Sequence, residues 1–92
     1  MNEYQVVYKY RVEVGSEIQV PWGFRSRITG AVADADGVTF WCVHINPDNL
    51  TAKREVAIVG TGSYFAPWLE VLATSRDEQS GLVWHLVGAV VR

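Results

Sequence analysis

Apolar and polar residues alternate with a period of two through most of this 92-residue chain, and no stretch of similar length places apolar residues at helical spacing. Successive side chains of a strand point to opposite faces, so a chain patterned this way builds sheets. Gly, Pro, Asp and Asn break the pattern into seven runs, at residues 4–12, 18–20, 28–34, 38–45, 55–59, 68–74 and 82–91. The expectation is one all-β domain over residues 1–92, with about seven mostly antiparallel strands in a twisted sheet, a sandwich or a partly open barrel.

The first run sets Tyr4, Val6, Tyr8, Tyr10 and Val12 against Gln5, Lys9, Arg11 and Glu13, one buried face and one wet face. The second stops at Pro21, which lacks the N–H that an inner ladder needs. Asp36-Gly37 between two β-like runs predicts a hairpin with a type I′ turn, because both central positions then need positive φ. The return run, residues 38–45, is apolar on both faces and predicts the centre of a sheet. Tyr64, Trp68, Leu69 and Leu72 have helical spacing, so a single helical turn is expected within residues 63–72, beside Pro67.

Hydrophobic residues make up 49% of the chain and include eleven aromatics, more than a domain this small needs inside. The excess predicts a homo-oligomer joined through an apolar strand face, with runs 38–45 and 82–91 as the candidates. Net charge is −2, which supplies no basic field for nucleic acid or an anionic membrane. A lone Cys42 cannot form an internal disulfide, and no eighteen-residue apolar run or signal-peptide pattern is present, so a soluble cytoplasmic protein is expected.

Several short stretches together resemble an uncharacterised family of small phage-encoded β-rich proteins. They are Tyr8-Lys9-Tyr10, Pro21-Trp22-Gly23, Trp41, Gly60-Thr61-Gly62 and Val83-Trp84-His85-Leu86, and they span most of the chain. The resemblance implies phage origin, the cytoplasm of an infected bacterium as the setting, and a compact β fold. It carries no activity.

The residues offer one candidate ligand site. Gly60-Thr61-Gly62 allows close backbone approach to an anion, although such a sequence also serves as a plain tight turn. Arg54, beside Lys53, and the pair Arg25 and Arg27 supply cations, while Trp22 and Tyr64 supply flat aromatic walls. On this reading Arg54→Ala weakens binding and leaves stability nearly unchanged. His44, His85 and Cys42 lack the spacing of a metal site, Asp34-Ala35-Asp36-Gly37 lacks the later ligands of a calcium loop, and no catalytic set or cofactor is expected. Three functions follow. The first is a non-enzymatic counter-defence sponge that sequesters an anionic, nucleotide-type signalling molecule. The second is a protein-interaction module that inhibits a host protein or serves in the virion, and the third is a small hydrolase.

Overall fold

The computed structural model describes residues 3–89. Seven strands are present: β1 (Gln5–Glu13), β2 (Glu17–Pro21), β3 (Arg27–Ala33), β4 (Gly37–Ile45), β5 (Lys53–Gly60), β6 (Leu69–Arg76) and β7 (Val83–Ala89). They form two sheets, ordered β1-β4-β3 and β2-β5-β7-β6, with every neighbouring pair antiparallel. No barrel closes. No helix among the described residues is long and apolar enough to cross a membrane.

Alternation assigns the faces. Phe40, Cys42 and His44 of β4 are fully buried on the face of Val38, and Val38, Phe40 and Cys42 share a core cluster with Val20, Val56 and Leu86 of the second sheet. The strand expected at the centre of a sheet is the middle strand of the first one. In β1 the core-facing row holds, with Val12 buried and Tyr10 half-buried, but Tyr4 and Tyr8 at its start remain 44% and 40% exposed. One pair of edges is laced by side chains. Ser75 Oγ of β6 accepts from Ala33 N–H at 3.0 Å and donates to Ala31 C=O at 3.4 Å, and Trp84 Nε1–H donates to Asp34 C=O at 3.1 Å.

Two expectations change. The β3–β4 hairpin forms, but none of residues 34–37 has positive φ, so its turn is not type I′. Asp34 Oδ1 instead accepts from Asp36 N–H at 2.8 Å and Gly37 N–H at 3.0 Å, which closes the turn by side chain. Glycine at 37 answers a different need, since a Cβ there would stand 2.4 Å from Val12 O on the passing strand β1. The predicted helical turn in residues 63–72 is absent; the one helical turn among the described residues is a 3₁₀ turn at Pro47–Asn49. Pro67 and the start of β6 at Leu69 end any helix before it nucleates. Residues 90 and 91 of the last predicted run lie outside the described residues.

Candidate functional site

A broad concavity lies where β2 leaves the second sheet. It is a groove of about 490 Å³ lined by Trp22, Gly23, Phe24, Ser26, Arg54 and Glu70. A smaller one of about 200 Å³ adjoins it, sharing Gly23, Phe24 and Ser26 and adding Glu3, Arg25 and Leu50.

Arg54 organises the groove. It follows Lys53 in sequence, but on β5 it shares a face with Val56 and Ile58, so its side chain enters the space between the sheets and is only 5% exposed. The guanidinium carbon sits 4.7 Å from the centre of the buried Trp22 ring, Nε–H donates to Ala89 C=O at 2.7 Å, and Nη2 pairs with the half-exposed Glu70. Gly88 makes this possible. A Cβ at that position would lie 3.1 Å from Arg54 Nε and 2.8 Å from Leu72 Cδ1. A buried cation needs this set of partners, which joins β5, β6, β7 and the β2–β3 connection. Arg54 is therefore a structural clamp as well as a groove wall, and the expectation that its loss spares stability is replaced by the opposite one.

Behind the groove runs a chain of neutral hydrogen bonds. Ser26 Oγ lies 2.8 Å from His44 Nδ1, Tyr10 Oη lies 2.9 Å from His44 Nε2, and Gly23 N–H donates to Ser26 Oγ at 3.0 Å. The rings of Tyr8, Tyr10 and Trp22 surround the imidazole. Burial lowers the His44 pKa below its ordinary value and raises that of the Tyr10 phenol to about 12, so both remain uncharged at neutral pH. Burial likewise pushes the Cys42 thiol up to about 11, the reverse of what an activated nucleophile requires.

The eight residues expected to form one site do not converge. Trp22 and Arg54 meet in the groove. Arg25 lies in the adjoining depression, paired with Glu3 at 2.7 Å, and Arg27 is exposed at the start of β3. Gly60, Thr61, Gly62 and Tyr64 are at the other end of β5, about 20 Å away by strand rise. Gly60-Thr61-Gly62 is part of a β-turn, with Ser63 N–H donating to Gly60 C=O at 3.1 Å and Gly62 at φ 86°. Thr61 Oγ1 contacts His85 Nε2 at 2.8 Å, and Thr74 Oγ1 contacts Nδ1 of the same ring at 2.9 Å. Both histidines thus bridge two hydroxyls. Ser26 and Glu70 escaped the sequence reading, and no local pattern distinguishes them from surface residues.

The β5–β6 connection, residues 61–68, has a different character. Strands β5 and β6 both run antiparallel to β7, which lies between them, so this connection must return along the sheet from the Trp84 end of β7 to the Ala89 end, about 17 Å. The Thr61–His85 contact and the complete burial of Val87, opposite in direction to the core residue Leu86, place its path over the outer face of β7. Tyr64 is fully exposed, Trp68 is 66% exposed and Phe65 is 42% exposed. Trp68 is the one tryptophan left largely in solvent, since Trp22 is buried and Trp41 and Trp84 are half-buried.

Residues 3–91 match a domain family of unknown function, DUF7352. The chain belongs to that family. No curated protein and no solved structure matches it. Within DUF7352, then, this chain is a two-sheet all-β domain whose clamp residue, polar chain and aromatic connection are described by its own geometry.

Proposed function

We propose that this DUF7352 domain is a non-enzymatic interaction module that binds a protein partner through the Tyr64–Trp68 connection. One observation carries the reading: three large aromatics stand in solvent on a connection held at both ends. Scattered exposed hydrophobics are ordinary, but aromatic side chains gathered on one short segment are the residues that dominate binding energy when desolvated. The Gly60–Ser63 turn, the Thr61–His85 contact, the Ala66–Leu69 turn and Pro67 fix the backbone, which lowers the entropy lost on docking. In the setting the phage resemblance implies, the partner is a host protein in the infected cell.

A second reading retains a small anionic ligand with a flat ring, held in the groove walled by Trp22, Phe24 and Arg54; the groove's volume of about 490 Å³ favours it. The experiment separates the two. Wild type and a Tyr64→Ser/Trp68→Ser variant, with a photocrosslinking residue placed at Phe65, are used as bait in the cognate host extract. A protein crosslinked by wild type and lost by the equally stable variant supports the first reading. Equal capture by both, or none, rejects it, and a nucleotide-dependent rise in melting temperature abolished by Trp22→Leu supports the second.

A further inference from the structure

Sheet edges invite pairing with another chain unless something blocks them. Three of the four edges here are blocked. Strand β2 is five residues long and ends in Pro21, β3 carries a bulge between Ile28 and Gly30, and β6 carries one between Val71 and Ala73. The fourth, β1, runs nine residues without a proline or a register break and pairs with β4 alone among the described strands.

Its hydrogen-bonding direction can be read from its two ends. Tyr4 C=O accepts from Asn46 N–H at 3.0 Å, and Val14 N–H donates to Asp36 C=O at 2.8 Å. Both contacts continue the unbroken β1–β4 register, so the even-numbered residues direct their backbone groups toward β4. Gln5, Val7, Lys9 and Arg11 therefore direct theirs to the open edge. At its middle stands Val7, an apolar residue 58% exposed.

We propose that β1 is a homodimer edge, pairing antiparallel with β1 of a second copy about a two-fold axis at Val7, so that the two three-stranded sheets become one of six strands. Like-charge repulsion disfavours the registers centred further along the strand. Centred on Val7, Val7 faces the partner's Val7, Gln5 faces the partner's Lys9, and Glu3 stands opposite the partner's Arg11, all through edge-directed backbone groups, although within each chain Glu3 already pairs with Arg25 and Arg11 with Asp34. On the core-facing side, the exposed rings of Tyr4 and Tyr8 face the partner's Tyr10 and the partner's Val6. Moving the axis to Tyr8 sets Glu3 against the partner's Glu13, and moving it to Lys9 sets two lysines together, like-charge contacts that destabilise a pair. In the Val7 register the two lysines are offset by about 14 Å along the strand. The isologous arrangement leaves no further edge to grow, so assembly stops at two. This interface differs from the β4 and β7 faces expected from the sequence, and it leaves the aromatic connection free.

The test is sedimentation of the wild-type chain, a Val7→Pro variant and a Val7→Lys variant, with circular dichroism to confirm the fold. Proline at 7 removes an N–H that points away from β4, so the internal ladder keeps its bonds. Wild type is expected at twice the 10.3 kDa chain mass, and both variants at the single mass with unchanged strand content. Val7→Cys should crosslink to its copy with a short bis-maleimide, whereas Glu13→Cys, offset from its copy by about 40 Å, should not. A wild type that sediments as a monomer at high micromolar concentration overturns the proposal. So does a dimer that survives both substitutions, or one that crosslinks at position 13 and not at 7.

Discussion

Replacing Arg54 with alanine should destabilise the domain by about 3 kcal/mol. The Nε–H to Ala89 C=O bond is charge-assisted, and such bonds contribute about 1.5–3 kcal/mol. Stacking of a desolvated guanidinium on Trp22 adds about 1–2 kcal/mol, and the buried stem leaves a void beside Gly88. These parts share the same atoms and do not sum in full. Glu70 is a small contributor, because its carboxylate is 49% exposed and rehydrates once the cation is gone. A domain of this length has about 5–14 kcal/mol of total stability, so the loss should lower the melting temperature by about 12–24 °C.

Thermal unfolding followed by far-ultraviolet circular dichroism measures it, with two companions to separate the causes. Glu70→Gln should cost less than Arg54→Ala, about 1–2 kcal/mol, since the amide oxygen still accepts from Nη2 but the buried guanidinium loses its counter-charge. Arg54→Lys keeps the charge and stem but loses the planar fork, and should fall between wild type and alanine. An Arg54→Ala protein melting within about 3 °C of wild type would refute the clamp and return Arg54 to the role of an available ligand cation.

Gly88→Ala should cost about 1–3 kcal/mol by overpacking, because a Cβ there meets Leu72 Cδ1 at 2.8 Å and Glu55 O at 3.1 Å; urea unfolding reads it. Cys42, fully buried with its thiol raised to about 11, should resist a thiol reagent in the native state at pH 8 and react fully in denaturant. Stability should also fall with pH below 6.5: burial holds folded His44 below its ordinary value, so the unfolded chain binds a proton that the folded site refuses until the lower, folded pKa is passed. His44→Gln should flatten that part of the stability curve. Further down, folded Asp34, lowered to about 2 by the Arg11 fork, takes its proton after unfolded aspartate does, so its stabilisation is lost between about 4 and 2.

Much of the fold is legible because it rests on side-chain parity. The double-sided apolarity of residues 38–45 marks a middle strand, and Pro21 marks an edge. The turn at Asp36-Gly37 shows the limit: its sequence favours one geometry, yet glycine is required there by the backbone of Val12, far away in the chain. The site was harder to read for the same reason. Lys53 and Arg54 look like a solvated pair, but extending the next strand back by two residues puts Arg54 in register with Val56 and Ile58, inside the sandwich. That signal was available in the sequence. The meeting of Ser26 with His44 was not, because it depends on how the β2–β3 connection folds back across the end of the first sheet.

Strand order also accounts for the exposed aromatics. Had β5 and β6 been neighbours, a two-residue hairpin would have joined them and residues 61–68 would have had no place. With β7 between them they are parallel, and the chain must travel back over the outer face of β7. That face offers little for an aromatic to cover: Val87 lies between Ala57 and Val71, and His85 is already held by Thr61 and Thr74. A connection of eight residues, drawn along most of that distance, can turn only part of its length inward. Phe65 is the aromatic most nearly covered, and Tyr64 and Trp68 stay in solvent. Polar residues would span the same path without exposing apolar surface to water, so the fold does not itself require aromatics at Tyr64 and Trp68, and that surplus is the ground for the partner proposed there.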